Sequence, residues 1–315
     1  MSARSQLPDE TTETGEFNRQ EDAFRDKVSD DGAAPFAAEA GRYHLYAALA
    51  CPWAHRTLIV RSLLGLDDAV SVTIAAPYRD SRGWAFHKGP RHDVDEVNGF
   101  RFLSEAYARS EPHYRGRVTV PALWDRKTSR IINNSEDDIC RMFDGPFRPL
   151  GKRRAEELFP SAVASQQDEL SEFIYTNINN GVYRAGFATE QAAYERAVRA
   201  LFAALDQLEN RLATSRYLFG SRIVESDWRL FCTLVRFDAV YHGHFKCNLR
   251  RVVDYPQLAG YLRDLYQQPG IAATVDIDHI KRHYYGTHDE INPTGIIPLG
   301  PLLDFKSPHG REHLG

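Results

Sequence analysis

The chain has 315 residues, 43% of them hydrophobic and 26% charged, which is ordinary for a globular protein. Its 39 basic and 43 acidic residues leave a net charge of −4, so the sequence lacks the excess positive charge expected of a nucleic-acid-binding protein. The apolar runs are too short to span a bilayer, and we expect no membrane partner. The length favours two domains.

Cysteine usage and the N-terminal composition indicate a reducing compartment. Residues 1–32 are polar and acidic and lack the apolar core of a secretory signal. The four cysteines show neither a CxxC pair nor zinc-ligand spacing: Cys51, Cys140, Cys232 and Cys247. We therefore predict a cytoplasmic protein with free thiols and no metal.

Residues 1–35 are interpreted as an N-terminal extension. We expect this segment to be mobile, because chain termini are poorly ordered unless something ties them down. Phe17, Phe24 and Val28 are the apolar residues in it that could dock on a surface. Regular patterning begins only after this segment.

Residues 36–148 predict a thioredoxin-like α/β domain. Apolar periodicity and turn residues divide this part of the chain into short elements. The elements are a strand at 43–48, a helix over 57–65 closed by a glycine, a strand at 70–74, hairpin strands at 118–125 and 131–132, and a helix over 135–143. A loop containing Trp84 lies between the second strand and the hairpin. The order is a βαβ unit followed by ββα.

The remainder of the chain predicts an all-α domain over residues 149–286 and an extended tail over residues 287–315. Helical periodicity extends over four stretches, at 155–182, 190–213, 226–245 and 255–268. Gly181, Gly220 and Pro256 are expected to interrupt them. The tail is rich in proline and glycine and is expected to lie extended on the body of the protein.

Cys51 is the candidate nucleophile. It stands between a strand end and a helix start, and Pro52 occupies a first-turn position where its missing N–H costs nothing. Unpaired N–H groups and the helix dipole at such a position lower the pKa of a thiol, and His55 and Arg56 can add positive charge. A dithiol enzyme would carry a second cysteine where Ala54 stands. An outside thiol must therefore resolve any mixed disulfide formed on Cys51.

Val120 and Pro121 support the same site. In a thioredoxin-like domain, a cis proline at this place turns the preceding backbone outward beside the cysteine. The Val120 N–H and C=O are then free to pair with an extended tripeptide, as in the addition of a strand.

These residues resemble the glutathionyl-hydroquinone reductases, the xi class of the glutathione transferases. The resemblance covers nearly the whole chain in the same order. The matching segments are 51–56 (Cys-Pro-Trp-Ala-His-Arg), 83–86 (Gly-Trp-Ala-Phe), 119–125 (Thr-Val-Pro-Ala-Leu-Trp-Asp), 179–188 (Asn-Asn-Gly-Val-Tyr-Arg-Ala-Gly-Phe-Ala), 279–285 (His-Ile-Lys-Arg-His-Tyr-Tyr) and 291–298 (Ile-Asn-Pro-Thr-Gly-Ile-Ile-Pro).

The resemblance implies a glutathione site in the thioredoxin-like domain. Glutathione would lie along Val120 and Pro121, with Trp84 and Arg117 near its glycyl and cysteinyl parts. Its γ-glutamyl end would sit at the start of the helix near residue 135, where backbone N–H groups hold a carboxylate. The residues implied at that helix start are Ser135 and Glu136.

The chain departs from its relatives at two places. Relatives usually have the order Glu-Ser where this chain has Ser135 and Glu136. They also generally have an N-capping threonine where this chain has Val224, so Ser226 or Asp227 is expected to cap that helix instead.

The activity implied is the glutathione-dependent reduction of S-glutathionyl-hydroquinones to hydroquinones. Cys51 would form a mixed disulfide with glutathione, and a second glutathione would release glutathione disulfide. Tyr175, Tyr183 and Tyr285 resemble the tyrosines that contact the aromatic ring of the substrate. Two alternatives remain open: an omega-like thiol transferase or dehydroascorbate reductase, and a non-catalytic glutathione-transferase-like interaction module. A homodimer is expected, because relatives dimerise.

Overall fold

The structure, a computed structural model, describes residues 7–29 and 35–314. It contains two compact units. The sheet unit comprises Glu21–Ala155 and Ala273–His283, and the helical unit comprises the residues up to Gln20, Glu156–Ala272 and the residues from Tyr284 onward. The domain limits expected at residues 35, 148 and 286 stay predictions.

The sheet unit is built around a four-stranded mixed sheet. Its elements in chain order are β1 (Tyr43–Ala47), α1 (Pro52–Leu64), β2 (Val70–Ile74), β3 (Arg79–Asp80), β4 (Gly83–Trp84), α2 (Leu103–Ser110), β5 (Ala122–Asp125), β6 (Arg130–Asn133) and α3 (Glu136–Asp144). The strand order is β2–β1–β5–β6. β1 pairs with β2 in parallel and with β5 antiparallel, and β5 pairs with β6 antiparallel. The predicted order of βαβ and ββα is confirmed.

The central strand, β1, is buried along its whole length. Its one strongly polar residue, His44, is satisfied by the hydroxyls of Ser71 and Thr73, at 2.7 and 2.9 Å. Burial lowers the pKa of His44 to about 4, so the imidazole is neutral at physiological pH. At the end of α1, Gly65 adopts the left-handed conformation expected of a glycine cap, with φ of 64°.

Two features of the sheet unit differ from the expectation. The hairpin strand expected from residue 118 begins only at Ala122, because Pro121 has no N–H to contribute to the ladder. The loop around Trp84 contains two short strands, and helix α2 follows at Leu103–Ser110. α2 is hard to see in the sequence, because its eight residues bury only Leu103, Ala106 and Tyr107.

The helical unit contains five complete helices and part of a sixth within the described residues. They are α4 (Ala164–Ile174), α5 (Asn180–Gly186), α6 (Gln191–Leu212), α7 (Glu225–Arg236), α8 (Pro256–Tyr266) and the end of α9 (Ile277–Thr287). Single π-helical turns at Tyr175–Asn179 and Phe237–Tyr241 follow α4 and α7. In the described part of the chain, no helix is both long and apolar enough to cross a membrane.

Two helical expectations need correction, and one helix was not expected. The stretch predicted from residue 155 becomes α-helical only at Ala164, because Pro160 and a 3₁₀ turn precede it. Gly181 does not interrupt the chain: it is buried within α5 against Leu201, and the helix runs on to Gly186. Helix α9 was not predicted at all.

The expected mobility of the N-terminal extension does not describe residues 7–29. Phe17 is buried and its ring packs on Phe187 in the helical unit. Phe24 packs on Tyr107 in the sheet unit, and its carbonyl accepts a hydrogen bond from the N–H of Asn134. Apolar anchors and backbone pairing thus tie the segment down. Residues 1–6 and 30–34 of the extension lie outside the described residues.

The end of the tail packs on the helical unit. Arg311 is the anchor: it is buried, and its guanidinium donates to the carbonyls of Leu212 and Ser215 at 2.9 and 2.6 Å. Upstream of this anchor, Leu299 and Leu302 are fully exposed.

Asp227 caps helix α7, one of the two alternatives expected from the sequence. Its buried carboxylate accepts hydrogen bonds from the N–H groups of Val224 and Leu218, both at 2.9 Å. The Tyr261 hydroxyl donates a third bond at 2.8 Å. Burial raises the pKa of Asp227 to about 6, because the charged form loses its hydration.

We predict that Asp227→Ala lowers the free energy of unfolding by about 2–4 kcal/mol, because three buried donors lose their acceptor. Chemical denaturation measures this loss. Asp254→Ala is the matched control: Asp254 caps in the same way, accepting from the Arg251 N–H at 3.0 Å, but is exposed. Equal losses in the two variants would contradict the role given to burial.

The raised pKa of Asp227 also predicts a pH dependence. Because the pKa of Asp227 is higher in the folded state than in the unfolded state, its contribution to stability is fully present at low pH. This contribution is lost as the pH rises through about 6. The melting temperature of the protein relative to Asp227→Asn is therefore expected to fall between about pH 4 and pH 7.

Candidate active site

Cys51 occupies the N-cap position of α1. Its backbone is extended, with φ of −78° and ψ of 122°, and its carbonyl accepts the first helical hydrogen bond from the His55 N–H at 3.0 Å. Pro52 stands in the first turn, as expected. Ala54 is fully buried in the position of a second cysteine, and all four cysteines are free. The lone thiol therefore faces the N-terminus of a helix, where a thiolate is stabilised.

The backbone of Val120 lies beside this thiol. Cys51 Sγ is 3.5 Å from the Val120 carbonyl oxygen, and the peptide bond between Val120 and Pro121 is cis, as the sequence predicts. No described residue accepts a hydrogen bond from the Val120 N–H. A backbone donor and acceptor thus lie next to the thiol, the arrangement that binds an extended peptide.

His55 and Arg56 have partners of their own. The buried His55 ring lies 2.8 Å from the Thr274 hydroxyl. The buried Arg56 guanidinium contacts Glu136 Oε1 at 3.2 Å and Asp137 Oδ1 at 3.1 Å. Two carboxylates therefore balance the charge of Arg56, and the N-terminus of helix α1 adds positive potential at Cys51.

The first turn of α3 is acidic. Ser135 is its buried N-cap residue, and the next three residues are Glu136, Asp137 and Asp138. Arg56 pairs with the first two of them, and Arg25 pairs with Asp138 at 2.5 Å. Backbone N–H groups and carboxylates that are paired with arginines thus meet at this helix start.

Trp84 is packed rather than exposed. Its indole stacks on the His283 ring, with centroids 4.8 Å apart and planes 24° from parallel. The Arg79 guanidinium lies 6.0 Å from the indole centroid. Arg117 is half-buried, and its carbonyl accepts a hydrogen bond from the Tyr114 hydroxyl at 2.7 Å. Trp84, Arg117, Val120, Ser135 and the thiol all belong to the sheet unit.

The helical unit brings three tyrosine hydroxyls into a chain. Tyr183 Oη lies 2.5 Å from Tyr284 Oη, which lies 2.9 Å from Tyr241 Oη. Burial raises the pKa values of Tyr241 and Tyr284 well above the usual value, so both stay protonated. Of the three predicted tyrosines, Tyr183 belongs to this chain. The Tyr285 hydroxyl donates to the Ala239 carbonyl at 3.5 Å, and Tyr175 starts the first π-helical turn.

Tyr284 and Tyr241 are not among the tyrosines predicted from the sequence. A signal for Tyr284 existed: Ile280 and Tyr284 are four residues apart, hence on one face of α9, and both are buried. Tyr285, the next residue along α9, is only partly buried. Nothing in the local sequence marks Tyr241, because its hydroxyl meets Tyr284 only through the tertiary fold.

We predict that Cys51 titrates below the roughly 8.5 of a free thiol. The measurement is the pH dependence of its alkylation rate in a variant with Cys140, Cys232 and Cys247 replaced by alanine. The control is a variant that retains only Cys140, which is fully buried and should react only on unfolding. A midpoint at or above the free-thiol value would show that the helix end does not stabilise the thiolate.

Comparison with known families agrees with this fold. Residues 50–145 match the model of the glutathione S-transferase N-terminal domain, and residues 191–264 match that of the C-terminal domain. These matches, the mixed sheet and the helical unit define the class as a glutathione transferase.

Relatives that match almost the full length of the chain identify its family within the glutathione transferases. The chain is 49% identical to the glutathionyl-hydroquinone reductase YqjG of Escherichia coli K12, over 95% of this chain and 93% of the relative. It is 46% identical to the glutathionyl-hydroquinone reductase PcpF of Sphingobium chlorophenolicum, over 91% and 90%. The glutathione-bound structure of YqjG matches with a TM-score of 0.90 over 92% of this chain and 96% of that one. The xi-class glutathione transferase of Natrialba magadii, 49% identical, also matches with a TM-score of 0.90 over 91% of this chain and 88% of that one. The chain belongs to the glutathionyl-hydroquinone reductases of the xi class.

Proposed function

We propose that this protein reduces S-glutathionyl-hydroquinones to hydroquinones at Cys51, with glutathione as the reductant. The observation that carries the proposal is the lone thiol at the α1 N-terminus, 3.5 Å from the Val120 carbonyl. Two relatives of 46–49% identity bear the name of this activity, which supports the same reaction here. The named relatives are enzymes, which disfavours a non-catalytic module.

The reaction has two steps. The Cys51 thiolate attacks the thioether sulfur of the conjugate, a sulfur–sulfur bond forms, and the sulfur–aryl bond breaks. The electron pair of the broken bond passes to the ring carbon, which takes a proton, and hydroquinone leaves. A second glutathione thiolate then attacks the mixed disulfide, releasing glutathione disulfide and restoring the Cys51 thiolate. The ring is reduced by two electrons and the two glutathione sulfurs are oxidised.

The glutathione part of the substrate is proposed to bind in the sheet unit. Its cysteinyl backbone would pair with Val120, next to Pro121, in the manner of an added strand. Trp84 and Arg117 are proposed to contact its glycyl and cysteinyl parts. Each of these contacts is a prediction, and substitution of the residue tests it through the affinity for glutathione.

The γ-glutamyl end of glutathione carries both a carboxylate and an ammonium group. We propose that the backbone N–H groups at the N-terminus of α3, next to Ser135, hold the carboxylate. The acidic side chains there, Glu136 foremost, suit the ammonium group. Because this helix start presents both backbone N–H donors and carboxylates, it favours a zwitterionic ligand over a simple anion.

The aromatic ring of the substrate is proposed to contact Tyr183, with Tyr175 and Tyr285 as further candidates. A phenol that stays protonated can donate its proton to the ring carbon that receives the electron pair. The hydroxyl chain through Tyr284 supports Tyr183 as the donor, because a second phenol stabilises the charge left on the first.

The decisive experiment is incubation of the protein with a glutathionyl-hydroquinone, followed by mass spectrometry. The proposal expects one glutathione on Cys51 before free glutathione is added, and hydroquinone with glutathione disulfide afterwards. Disulfide exchange without hydroquinone release would instead support an omega-like thiol transferase. Absence of any adduct would reject both.

We further propose that the protein is cytoplasmic and works as a homodimer. The four buried free cysteines support a reducing compartment. The exposed Leu299 and Leu302 in the tail support a surface that a second copy covers. The molar mass in solution, measured by light scattering, tests the dimer.

A further inference from the structure

The N-terminal segment from Glu10 to Gln20 folds into a closed loop on the helical unit. Thr11 and Phe17 pair in antiparallel fashion, and the Gly15 N–H closes the turn on the Thr12 carbonyl at 2.9 Å. Buried Glu10 then accepts a hydrogen bond from the Gln20 N–H at 3.1 Å. We call residues 10–20 the lead-in loop.

Gly15 fixes where the lead-in loop docks. Its φ is 76°, in the region that favours glycine, and a Cβ there would stand 2.7–2.9 Å from atoms of Thr189 and Glu190. The close approach lets the Thr189 N–H donate to the Gly15 carbonyl at 3.2 Å. The loop is therefore held by its backbone at one defined place, beside helix α5.

Docking at this place brings two side chains of the loop against Tyr183. The Phe17 ring stacks on the Tyr183 ring at a centroid distance of 6.3 Å. The Arg19 guanidinium carbon lies 5.1 Å from the Tyr183 ring centroid, and its Nε donates to the Oδ1 of buried Asn180 at 3.1 Å. Asn180 is one turn of helix before Tyr183, so it fixes the guanidinium over the ring.

We propose that Arg19 is a positioning residue for Tyr183, acting on the orientation of its ring and on the acidity of its hydroxyl. This inference rests on the proposed function, in which Tyr183 protonates the aromatic ring of the substrate. In this role of Arg19, the lead-in loop contributes to the site that binds the aromatic ring. A segment far from Tyr183 in the sequence thereby affects the rate at which the enzyme reduces aromatic glutathione conjugates.

Two physical effects support this role. A guanidinium over an aromatic face is attracted by the ring quadrupole, which restricts the ring. A positive charge near a phenol also favours its ionised form and makes it a stronger acid. Tyr284 from α9 and Tyr241 from the second π-helical turn also face Tyr183, and the buried Arg236 at the end of α7 acts electrostatically on both of these tyrosines. Its neighbour on α5, Arg184, donates to the Thr176 carbonyl instead.

The kinetic test replaces Arg19 with methionine, which is unbranched but shorter, and which removes both the charge and the hydrogen bond to Asn180. We expect kcat for a glutathionyl-hydroquinone to fall about three- to tenfold. The alkaline limb of the pH–rate profile should move up by about half a pH unit, because Tyr183 becomes a weaker acid. Arg19→Lys should restore the limb, since it keeps the charge. Reduction of a glutathione mixed disulfide should not change in either variant.

Arg250→Met is the matched control. The Arg250 guanidinium carbon lies 4.8 Å from the ring centroid of Tyr255. This is the same kind of contact as that of Arg19 with Tyr183 and it lies in the same unit, but Tyr255 is outside the proposed site. This variant should keep the kcat and the pH profile of the parent protein. A loss equal to that of Arg19→Met would assign both effects to stability and overturn the inference.

A spectroscopic measurement separates this inference from the proposed function. In protein labelled with carbon-13 at the tyrosine Cζ, the signal of Tyr183 is identified by its absence in Tyr183→Phe. Its titration should move to higher pH in Arg19→Met and stay in place in Arg250→Met. This readout needs no turnover, so a parent protein without reductase activity would refute the proposed function alone. An unmoved Tyr183 titration overturns the role of Arg19.

Discussion

Replacing Cys51 with serine or alanine is expected to abolish reduction of glutathionyl-hydroquinones, by about a thousandfold or more. Neither replacement can form the sulfur–sulfur bond on which both steps depend, and a serine hydroxyl at the same helix start stays protonated. The measurement is the rate of hydroquinone and glutathione disulfide formation. The mixed-disulfide adduct should disappear at the same time.

The other three cysteines supply the controls for this result. Cys140, Cys232 and Cys247 are each at most 1% exposed, so a dissolved substrate does not reach them in the folded protein. Burial raises the pKa of the Cys247 thiol, which keeps it protonated and unreactive. Single alanine variants at these positions should keep the activity, with only a small loss of stability from the missing sulfur. Full turnover by Cys51→Ala would rule out the proposed chemistry, whatever the controls do.

The elements that present Cys51 were predictable, because they follow from local patterns. Pro52 at a helix start and Gly65 at its end bound α1, and the β-branched residues of 70–74 mark the neighbouring strand. The cis bond before Pro121 followed from the same context. Only adjacent residues were needed to recognise this part of the fold.

Features that depend on distant contacts were not predictable in the same way. The lead-in loop has little apolar content, and its ordering depends on Gly15 fitting against Thr189 and Glu190. The choice between Tyr284 and Tyr285 depends on which face of α9 is buried, and α9 itself was not recognised. Helix α5 runs past Gly181 because Leu201 packs on it. Each of these depends on packing between segments far apart in sequence.

The charge balance at the α3 N-terminus shows a similar limit. Ser135 and Glu136 suggested an anion site from their position at a helix start. The structure adds Arg56 from α1, which pairs with Glu136 and Asp137 across the sheet unit. Only the folded arrangement shows that this helix start carries both signs of charge.

Tyr183→Phe is expected to lower turnover of a glutathionyl-hydroquinone by about tenfold or more, while leaving disulfide reduction nearly unchanged. Attack on the thioether sulfur expels an electron pair onto an aromatic carbon, which is a poor leaving group until it is protonated. Reduction of a mixed disulfide expels a thiolate, which leaves without help. A residue that protonates the ring therefore affects the first substrate alone.

The structure ranks the remaining tyrosines for the same experiment. Tyr284→Phe removes the hydroxyl 2.5 Å from that of Tyr183 and should cost less than Tyr183→Phe, because the proton donor itself remains. Tyr175→Phe and Tyr285→Phe should have the smallest effects, since neither joins the hydroxyl chain. Tyr255→Phe, a buried tyrosine outside the proposed site, is the control and should match the parent on both substrates. If Tyr183→Phe loses neither activity, or loses both equally, Tyr183 is a packing residue and the ring must take its proton from water.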